Sequence, residues 1–294
     1  MKNATLPTHG WPHAVKRWMA STRAALRTAI AALALLLATP PALAQAGAID
    51  ASLSPADKGR AIAIEAERRR AGFVDAIAEL TMELVGSEDR VRTRRLTWRT
   101  LESVEPGAGD RSLTVFHEPR DIAGTAFLSH TYIDRNDDQW LYLPSLKRVR
   151  RIASANLSSA FVGSEFSYED LLSDEPDKFD QVWLRDEPCA TGTCFVLERR
   201  PRYADSGYSR QIVWIDQDAF RPMRIDYYDQ RERLQKTLTL EDYRKYLDRF
   251  WRAHELRMDN HLTGRTTVLR FEPFELQSGL AAELFEPGTL TRLR

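Results

Sequence analysis

The stretch "IAELTMELV", residues 77–85, alternates apolar and polar side chains along most of its length. Every second position from Ala78 to Leu84 is apolar, and these positions include Leu80 and Met82. Successive side chains of an extended chain point to opposite sides, so these apolar residues would share one face. A period of two therefore predicts a β-strand with one buried and one solvated face.

Runs of the same kind follow at near-regular spacing, separated by turn-forming sequences such as "EPGAG" and "DRNDD". They comprise residues 92–103, 112–118, 125–133, 139–144, 180–187, 194–200, 210–216, 222–229, 234–243, 249–260 and 265–276. Leu96 and Trp98 share a face of the first run, and Trp140 lies in the run over residues 139–144. About a dozen strands at this spacing predict one large antiparallel sheet, which must curl or close.

Two segments depart from the strand pattern. Ser54 and Pro55 form a typical N-cap and first helical residue, which predicts a charged helix over residues 55–70. Residues 152–174 lack the alternation and interrupt the run of strands. We expect a mainly β (α+β) fold, a large curved antiparallel sheet forming a half-barrel, with these helical segments covering its concave face.

The second of these segments contains "GSEFSYEDLL", residues 163–172. Ser167 and Asp170 have the spacing of a capping box, which predicts a short helix that begins here. Gly163 permits a backbone turn that other residues resist. The apolar side chains near this turn would cover the sheet, and they are Phe161, Phe166, Tyr168 and Leu171.

Motifs for catalysis and metal binding are not apparent. Ser164 and Ser167 lack the G-x-S-x-G setting of a nucleophile elbow. The run "DRNDDQ", residues 134–139, begins like a calcium loop but has Gln139 where the loop needs glycine. The histidines show no metal-ligand spacing. The sequence thus predicts no catalytic residue, no metal site and no cofactor.

The N-terminus has the features of a secretory signal peptide. Residues 1–44 carry five basic side chains and no acidic one, followed by an apolar run and the small-residue sequence Ala42-Leu43-Ala44. We expect cleavage after Ala44, or alternatively after Ala46, with Met19 as an alternative start of the chain. The apolar run is too short for a retained membrane span, which takes about 20 residues.

Charge and cysteine content fit an exported protein that binds no nucleic acid. Removing the leader from 42 basic and 42 acidic side chains leaves 37 basic and 42 acidic ones, a net charge of −5. A nucleic-acid-binding protein would need a basic face instead. Cys189 and Cys194 flank "ATGT", a turn-like sequence between two strand-like runs. We predict that they form a disulfide, since an oxidising compartment favours the bond.

Four separated motifs resemble the outer membrane lipoprotein-sorting protein family, a LolA/LolB-like family of exported bacterial proteins. They are "FHEPRDIAGTAFLS" (116–129), "DQWLYLPSLKRVRRI" (138–152), "FVGSEFSYEDL" (161–171) and "LFEPGTLTRL" (284–293). The family pattern has aspartate where this chain has Glu165. The resemblance implies a domain over residues 45–294, a half-barrel around a hydrophobic cavity that shelters acyl chains, and partnership with RND/MMPL-type exporters.

The residues and the resemblance together predict a periplasmic carrier of a lipid or lipoprotein, and not an enzyme. The cavity and its gate would be formed by Leu80, Met82, Leu84, Leu96, Trp98, Trp140, Phe161, Phe166, Tyr168 and Leu171. The basic run "LKRVRRI", residues 146–152, is either a solvated edge or a transient contact with lipid headgroups. Two alternatives stay open: a lipid-ester hydrolase that uses a strand histidine such as His130, and a transporter adaptor with a filled core.

Overall fold

A computed structural model describes residues 49–86, 90–105 and 107–293 of the protein. The predicted signal peptide, residues 1–44, lies outside the described residues. One α-helix, α1 (Pro55–Arg70), precedes the strands in the described part of the chain. The strands are β1 (Asp75–Val85), β2 (Val91–Leu101), β3 (Ala108–Glu118), β4 (Ala126–Tyr132), β5 (Asp138–Leu143), β6 (Arg148–Ile152), β7 (Phe179–Cys189), β8 (Gly192–Pro201), β9 (Tyr208–Asp216), β10 (Pro222–Asp229), β11 (Leu234–Tyr246), β12 (Phe250–Asn260), β13 (Arg265–Phe271) and β14 (Glu275–Leu276).

All fourteen strands belong to one sheet, in the order β6-β5-β4-β3-β2-β1-β13-β12-β11-β10-β9-β8-β7, with β14 paired to β1. The sheet is antiparallel and open, which confirms the predicted curved half-barrel. Its two edges, β6 and β7, follow each other in the chain. Residues 153–178 connect them, and we call this connection the cover segment.

The helices of the cover segment differ from the helix predicted to begin near Ser167. The segment contains only short 3₁₀ helices, at Ser154–Asn156, Phe161–Gly163, Glu169–Leu171 and Pro176–Lys178. The longer element, α1, begins and ends as the sequence predicts, and the Ser54 side chain accepts a hydrogen bond from the Asp57 backbone at 3.2 Å. Its Gly59 lies so close to β7 that a Cβ would come within 2.7 Å of the Trp183 backbone nitrogen.

The concave face of the sheet carries the main core. In β1, Leu80 pairs with Leu96 of β2 and with Phe271 of β13. The alternation read from residues 77–85 thus places the apolar residues of three strands side by side. This core contains the four buried cover-segment and helix residues Ile62, Phe161, Phe166 and Tyr168.

A second core lies on the convex face. There the short 3₁₀ helices Ala282–Phe285 and Pro287–Arg292 insert Phe285 and Leu290 against Leu113 and Leu128. Trp140 packs in this cluster. The assignment of Trp140 to the cavity was therefore wrong. In β5 the inward positions are those of Gln139 and Leu141, so Trp140 points outward.

The structure shows the two cysteines and the basic run that the sequence singled out. Cys189 and Cys194 form a disulfide across the β7–β8 turn, with their Cα atoms 5.8 Å apart. This confirms the predicted pairing. The basic run over residues 146–152 supplies β6, an edge strand paired with β5, and Arg148 and Arg150 are exposed on it.

Candidate ligand cavity and its cover

A cavity of about 820 Å³ lies between α1, the end of the cover segment and one end of the concave face. This volume falls within the range of small-molecule binding sites. Its apolar floor comes from strands on both sides of β1, because inward positions of neighbouring strands are adjacent in the sheet. The floor residues are Trp98, Leu197, Val213, Leu240, Leu256 and Phe271.

Charged side chains surround this floor, and several are paired with one another. Arg70 of α1 contacts Glu67 at 2.8 Å and Asp110 of β3 at 2.9 Å. Arg199 of β8 contacts Asp174 of the cover segment at 2.6 Å. Burial raises the pKa of Glu67, although Arg70 acts in the opposite direction. The cavity is thus amphipathic, with an apolar floor and a polar wall.

Only two of the predicted cavity residues line it. Trp98 and Leu171 face the cavity. Leu80, Met82, Leu84 and Leu96 instead pack in the solid core at the other end of the concave face, together with Phe161, Phe166 and Tyr168. The cavity is therefore shorter than the sequence suggested, because side chains of the cover segment occupy the rest of the concave face.

Aromatic side chains of the cover segment fill that end. The Phe161 ring lies 5.1 Å from Phe127, 5.8 Å from Phe116 and 5.6 Å from Tyr168, measured between ring centres. Phe161 and Phe166 are almost completely buried. Aromatic pairs at such distances attract each other beyond their area burial. The cover segment is thus part of the core at this end and a wall of the cavity at the other.

Asp170 fastens the cover segment to the second half of the sheet. Its carboxylate accepts hydrogen bonds from the Lys236 ammonium at 2.6 Å, from the Tyr208 hydroxyl at 2.7 Å and from the Ser167 backbone at 2.7 Å. The side chains of Asp170 and Lys236 are only 1% and 4% exposed. The ion pair is therefore almost shielded from water.

The predicted side-chain cap by Ser167 is not formed. Half of the capping box is present, since Asp170 accepts from the Ser167 backbone. The Ser167 hydroxyl lies 3.2 Å from the hydroxyl of Tyr208 instead. The helix at this point is a single 3₁₀ turn, Glu169–Leu171. The main role of Asp170 is therefore to bind the sheet, and not to cap a helix.

Glu169 makes a second set of polar contacts. It accepts hydrogen bonds from the Tyr203 hydroxyl at 2.7 Å, from the Gly207 backbone at 2.8 Å and from the Ser206 hydroxyl. Burial raises the pKa of Glu169, while these hydrogen bonds act to lower it. The acidic pair of "YEDL" thus anchors the cover segment to the residues before and within β9.

Other hydrogen bonds reach the first half of the sheet. Arg94 of β2 donates to the Val162 carbonyl at 2.7 Å, and Gln139 of β5 donates to the Tyr168 carbonyl at 2.9 Å. On the far side, Asn260 of β12 donates to Glu165 at 2.7 Å. The cover segment is held by both halves of the half-barrel.

The inward-facing charged residues Lys236, Arg199 and Arg252 were not predicted from the sequence. Each occupies an inward position in its strand, where the neighbours two residues away are mostly apolar. A charged side chain at an inward position must find a partner or a polar space. Their position in the inward-facing set of alternating residues could have identified them. The alternation is hard to recognise in these strands because charged side chains occur on both faces.

The histidine and the serine considered for catalysis both contact backbone carbonyl groups. Nε2 of His130 lies 2.7 Å from the Phe285 carbonyl oxygen on the convex side. The Ser164 hydroxyl donates to the Phe161 carbonyl at 2.8 Å. Across residues 49–86, 90–105 and 107–293, no group of three or more His, Cys, Asp or Glu side chains is arranged to hold a metal ion. Among the same residues, none of the helices combines the length and the apolar composition that crossing a membrane requires.

Comparison with solved structures identifies close relatives. An outer membrane lipoprotein-sorting protein domain from Vibrio parahaemolyticus is 45% identical, with a TM-score of 0.78, over 81% of this chain and 100% of that chain. A DUF1329 family protein from Desulfovibrio piger is 29% identical, with a TM-score of 0.77 and the same coverage of both chains. A LolA superfamily protein from Nitrosomonas europaea shares the fold, with 21% identity and a TM-score of 0.62 over 78% of this chain and 97% of that chain.

Sequence comparisons add a family match. A family model described as "Uncharacterized protein" matches residues 108–292. Among curated proteins none matches the chain.

The open antiparallel sheet with its cover segment is a half-barrel with the same fold as the LolA superfamily protein. Within that class, the chain belongs to the outer membrane lipoprotein-sorting protein family.

Proposed function

We propose that the protein is a periplasmic carrier that shelters acyl chains of a lipid or lipoprotein in its cavity, for transfer toward the outer membrane. The observation that carries this proposal is the 820 Å³ cavity with an apolar floor on the concave face. The name of the 45% identical relative, which refers to outer membrane lipoprotein sorting, supports the same role. An RND/MMPL-type inner-membrane transporter is the partner we propose for loading.

The energetics of burial are sufficient for carriage. Each buried methylene contributes about 0.8 kcal/mol, so an acyl chain of several methylenes gains several kcal/mol before association costs. Trp98, Leu240 and Leu256 provide the apolar surface for this burial. No chemical step is needed, because a carrier only exchanges its cargo between water-excluding environments.

A basic surface at the sheet edge fits transient contact with a membrane. Arg148 and Arg150 of β6 are exposed, and nearby Leu146 is 48% exposed. Clustered basic side chains are attracted to anionic headgroups by about 1 kcal/mol each. This surface would bring the carrier to its donor or acceptor membrane.

The proposal is tested by titration of the purified protein with a fluorescent fatty-acyl probe. We expect saturable binding by the wild type. Leu256→Trp fills part of the floor and should raise the Kd at least about tenfold, because the lost space excludes several methylenes. Leu262→Trp is the matched control, since Leu262 is 49% exposed and does not line the cavity.

Thermal melts of the same proteins separate loss of binding from loss of folding. Leu240→Trp, on the neighbouring strand, serves as a second variant should Leu256→Trp fold poorly. Absence of saturable binding by the wild type contradicts the carrier proposal and favours an adaptor with a filled core. Release of free acid from a lipid ester by the wild type would favour a hydrolase.

A further inference from the structure

The cavity lining has more basic than acidic side chains, although the full sequence has equal numbers of the two. Eight basic and five acidic side chains line it. Arg221 pairs with Asp216, and Arg68 and Arg69 pair with Glu65, so these two carboxylates reduce the excess to one positive charge. A cleft with low-dielectric walls and one sign of charge concentrates ligands of the opposite sign. A purely apolar cargo would not require this excess.

Most buried cations around the cavity already have acidic partners. Arg70 pairs with Glu67 and Asp110, and Arg199 pairs with Asp174. These guanidinium groups are committed to holding α1 and the cover segment against the sheet. These paired guanidinium groups account for some of the basic side chains in the cavity lining, but they have few N–H groups left to bind a ligand.

Arg252 of β12 is different. Among the residues that the structure describes, no carboxylate forms an ion pair with it, and Nη1 donates only to the Trp251 carbonyl at 3.1 Å. Its guanidinium carbon lies 4.8 Å from the ring centre of Phe73 and 5.9 Å from that of Phe250. Such contact with aromatic faces favours a defined orientation while other N–H groups remain able to donate.

The charge of Arg252 is only partly balanced by nearby negative charges. Burial, with a contribution from Arg70, lowers the pKa of Arg252 to about 10, although Asp110 and Glu102 act in the opposite direction. A guanidinium in water keeps a pKa above 12. An anion bound at Arg252 would therefore stabilise a charge that the protein alone stabilises incompletely.

The apolar floor is within reach of this group. Leu256 shares the inward face of β12 with Arg252, four residues along the strand and so about 13 Å away. Both residues line the same cavity. A molecule with an anionic head at Arg252 could extend a hydrocarbon chain past Leu256 without leaving the cavity.

We propose that the cavity selects an amphiphile with an acidic headgroup, a carboxylate or a phosphate monoester, and that Arg252 binds this headgroup. This inference rests on the proposed carrier function, since it assigns the chemistry of the cargo in the same cavity. The planar guanidinium suits bidentate contact with two oxygens of either group. The acyl chain lies on the floor formed by Leu240, Leu256 and Phe271.

The test compares ligands that differ only in the headgroup. Hexadecanoate, hexadecyl phosphate, hexadecanol and inorganic phosphate are titrated against the purified wild-type protein by displacement of an acyl probe and by calorimetry. We expect the two acidic amphiphiles to bind at least about tenfold more tightly than the alcohol, as a charge-assisted contact provides. Inorganic phosphate should bind far more weakly than hexadecyl phosphate, because it lacks the chain.

Three variants assign the effect to Arg252. Arg252→Gln should remove the preference for the acids and leave the affinity for hexadecanol unchanged. Arg252→Lys should retain part of the preference, because the charge stays but the bidentate geometry is lost. Arg244→Gln is the matched control, since Arg244 lies opposite Arg252 in the β11–β12 register but pairs with Asp242.

The outcomes separate this inference from the carrier proposal. Equal binding of hexadecanoate and hexadecanol to the wild type would overturn the headgroup assignment and leave the carrier intact. Failure of every amphiphile to bind would overturn both. Inorganic phosphate that binds as tightly as hexadecyl phosphate would show a site for a free anion and overturn the lipid headgroup.

Discussion

At the scale of single residues, the Lys236–Asp170 ion pair joins the cover segment to the sheet almost out of contact with water. Both side chains are at most 4% exposed. A buried pair gains little over an apolar pair of similar volume, but loss of one member leaves an uncompensated charge. The contact thus adds little net stability, and its main effect is to fix the position of the cover segment on the sheet.

Lys236→Met should therefore destabilise the protein by about 3–5 kcal/mol, because Asp170 loses its buried countercharge. Urea unfolding at neutral pH measures the change. Arg244→Met breaks an exposed pair with Asp242 and should cost at most about 1 kcal/mol. A similar decrease in the free energy of unfolding in both variants would contradict the expectation that the buried pair matters more than the exposed one.

Glu175 supplies a test that depends on pH. It is 8% exposed, and the Ser173 hydroxyl donates to it at 2.7 Å. Burial raises its pKa, so the folded state holds its proton more tightly than the unfolded state does. The stability that this group contributes is full below the unfolded pKa and is lost as the pH rises through the folded pKa.

Glu175→Gln, which mimics the protonated form, should thus gain stability relative to wild type as the pH rises from about 4 to 7. Denaturant unfolding at several pH values gives the difference between the two proteins. Glu105→Gln, at an exposed position, corrects for the loss of one negative charge. A difference that stays constant, or shrinks as the pH rises, would contradict this expectation.

At the scale of elements, the cover segment has two roles along its length. Phe166 lies in the solid core, whereas Leu171 faces the cavity. The sequence predicted one gate over one cavity, in which both residues contact the ligand. The structure separates a packed end from a ligand-facing end only five residues apart.

Phe166→Ala should mainly lower stability, by about 3–5 kcal/mol, because it leaves a void in the main core. Leu171→Ala should cost less stability but weaken binding of the acyl probe, since it removes part of the cavity wall. Chemical denaturation and probe titration are measured on both variants. An identical pattern in the two would contradict the division of the cover segment.

Much of the sheet could be predicted from the sequence, since strand alternation is a local property. The run over residues 77–85 and the Ser54–Pro55 helix start both matched the structure. The outward direction of Trp140 could not be predicted, because a second apolar layer from residues 282–292 covers the convex face. The partners of Lys236 and Arg252 depend on contacts between strands far apart in the chain.

At the scale of the whole molecule, the order of strands explains how a cavity and a cover arise together. The sheet edges β6 and β7 are consecutive strands, so the chain must cross the sheet between them, and it does so on the concave face. The cover segment fills one end of that face, and α1 with the remaining sheet encloses the cavity at the other.

The most direct test of the carrier is native mass spectrometry of the protein purified from a lysate that contains membranes. We predict an added mass of a lipid or acylated molecule on the wild type, reduced in Leu256→Trp and retained in Leu262→Trp. Dissociation in the gas phase and fragmentation then identify the added molecule. Wild-type protein that carries only the mass of its own chain after such purification, and takes up no acyl lipid when offered it, would contradict the account.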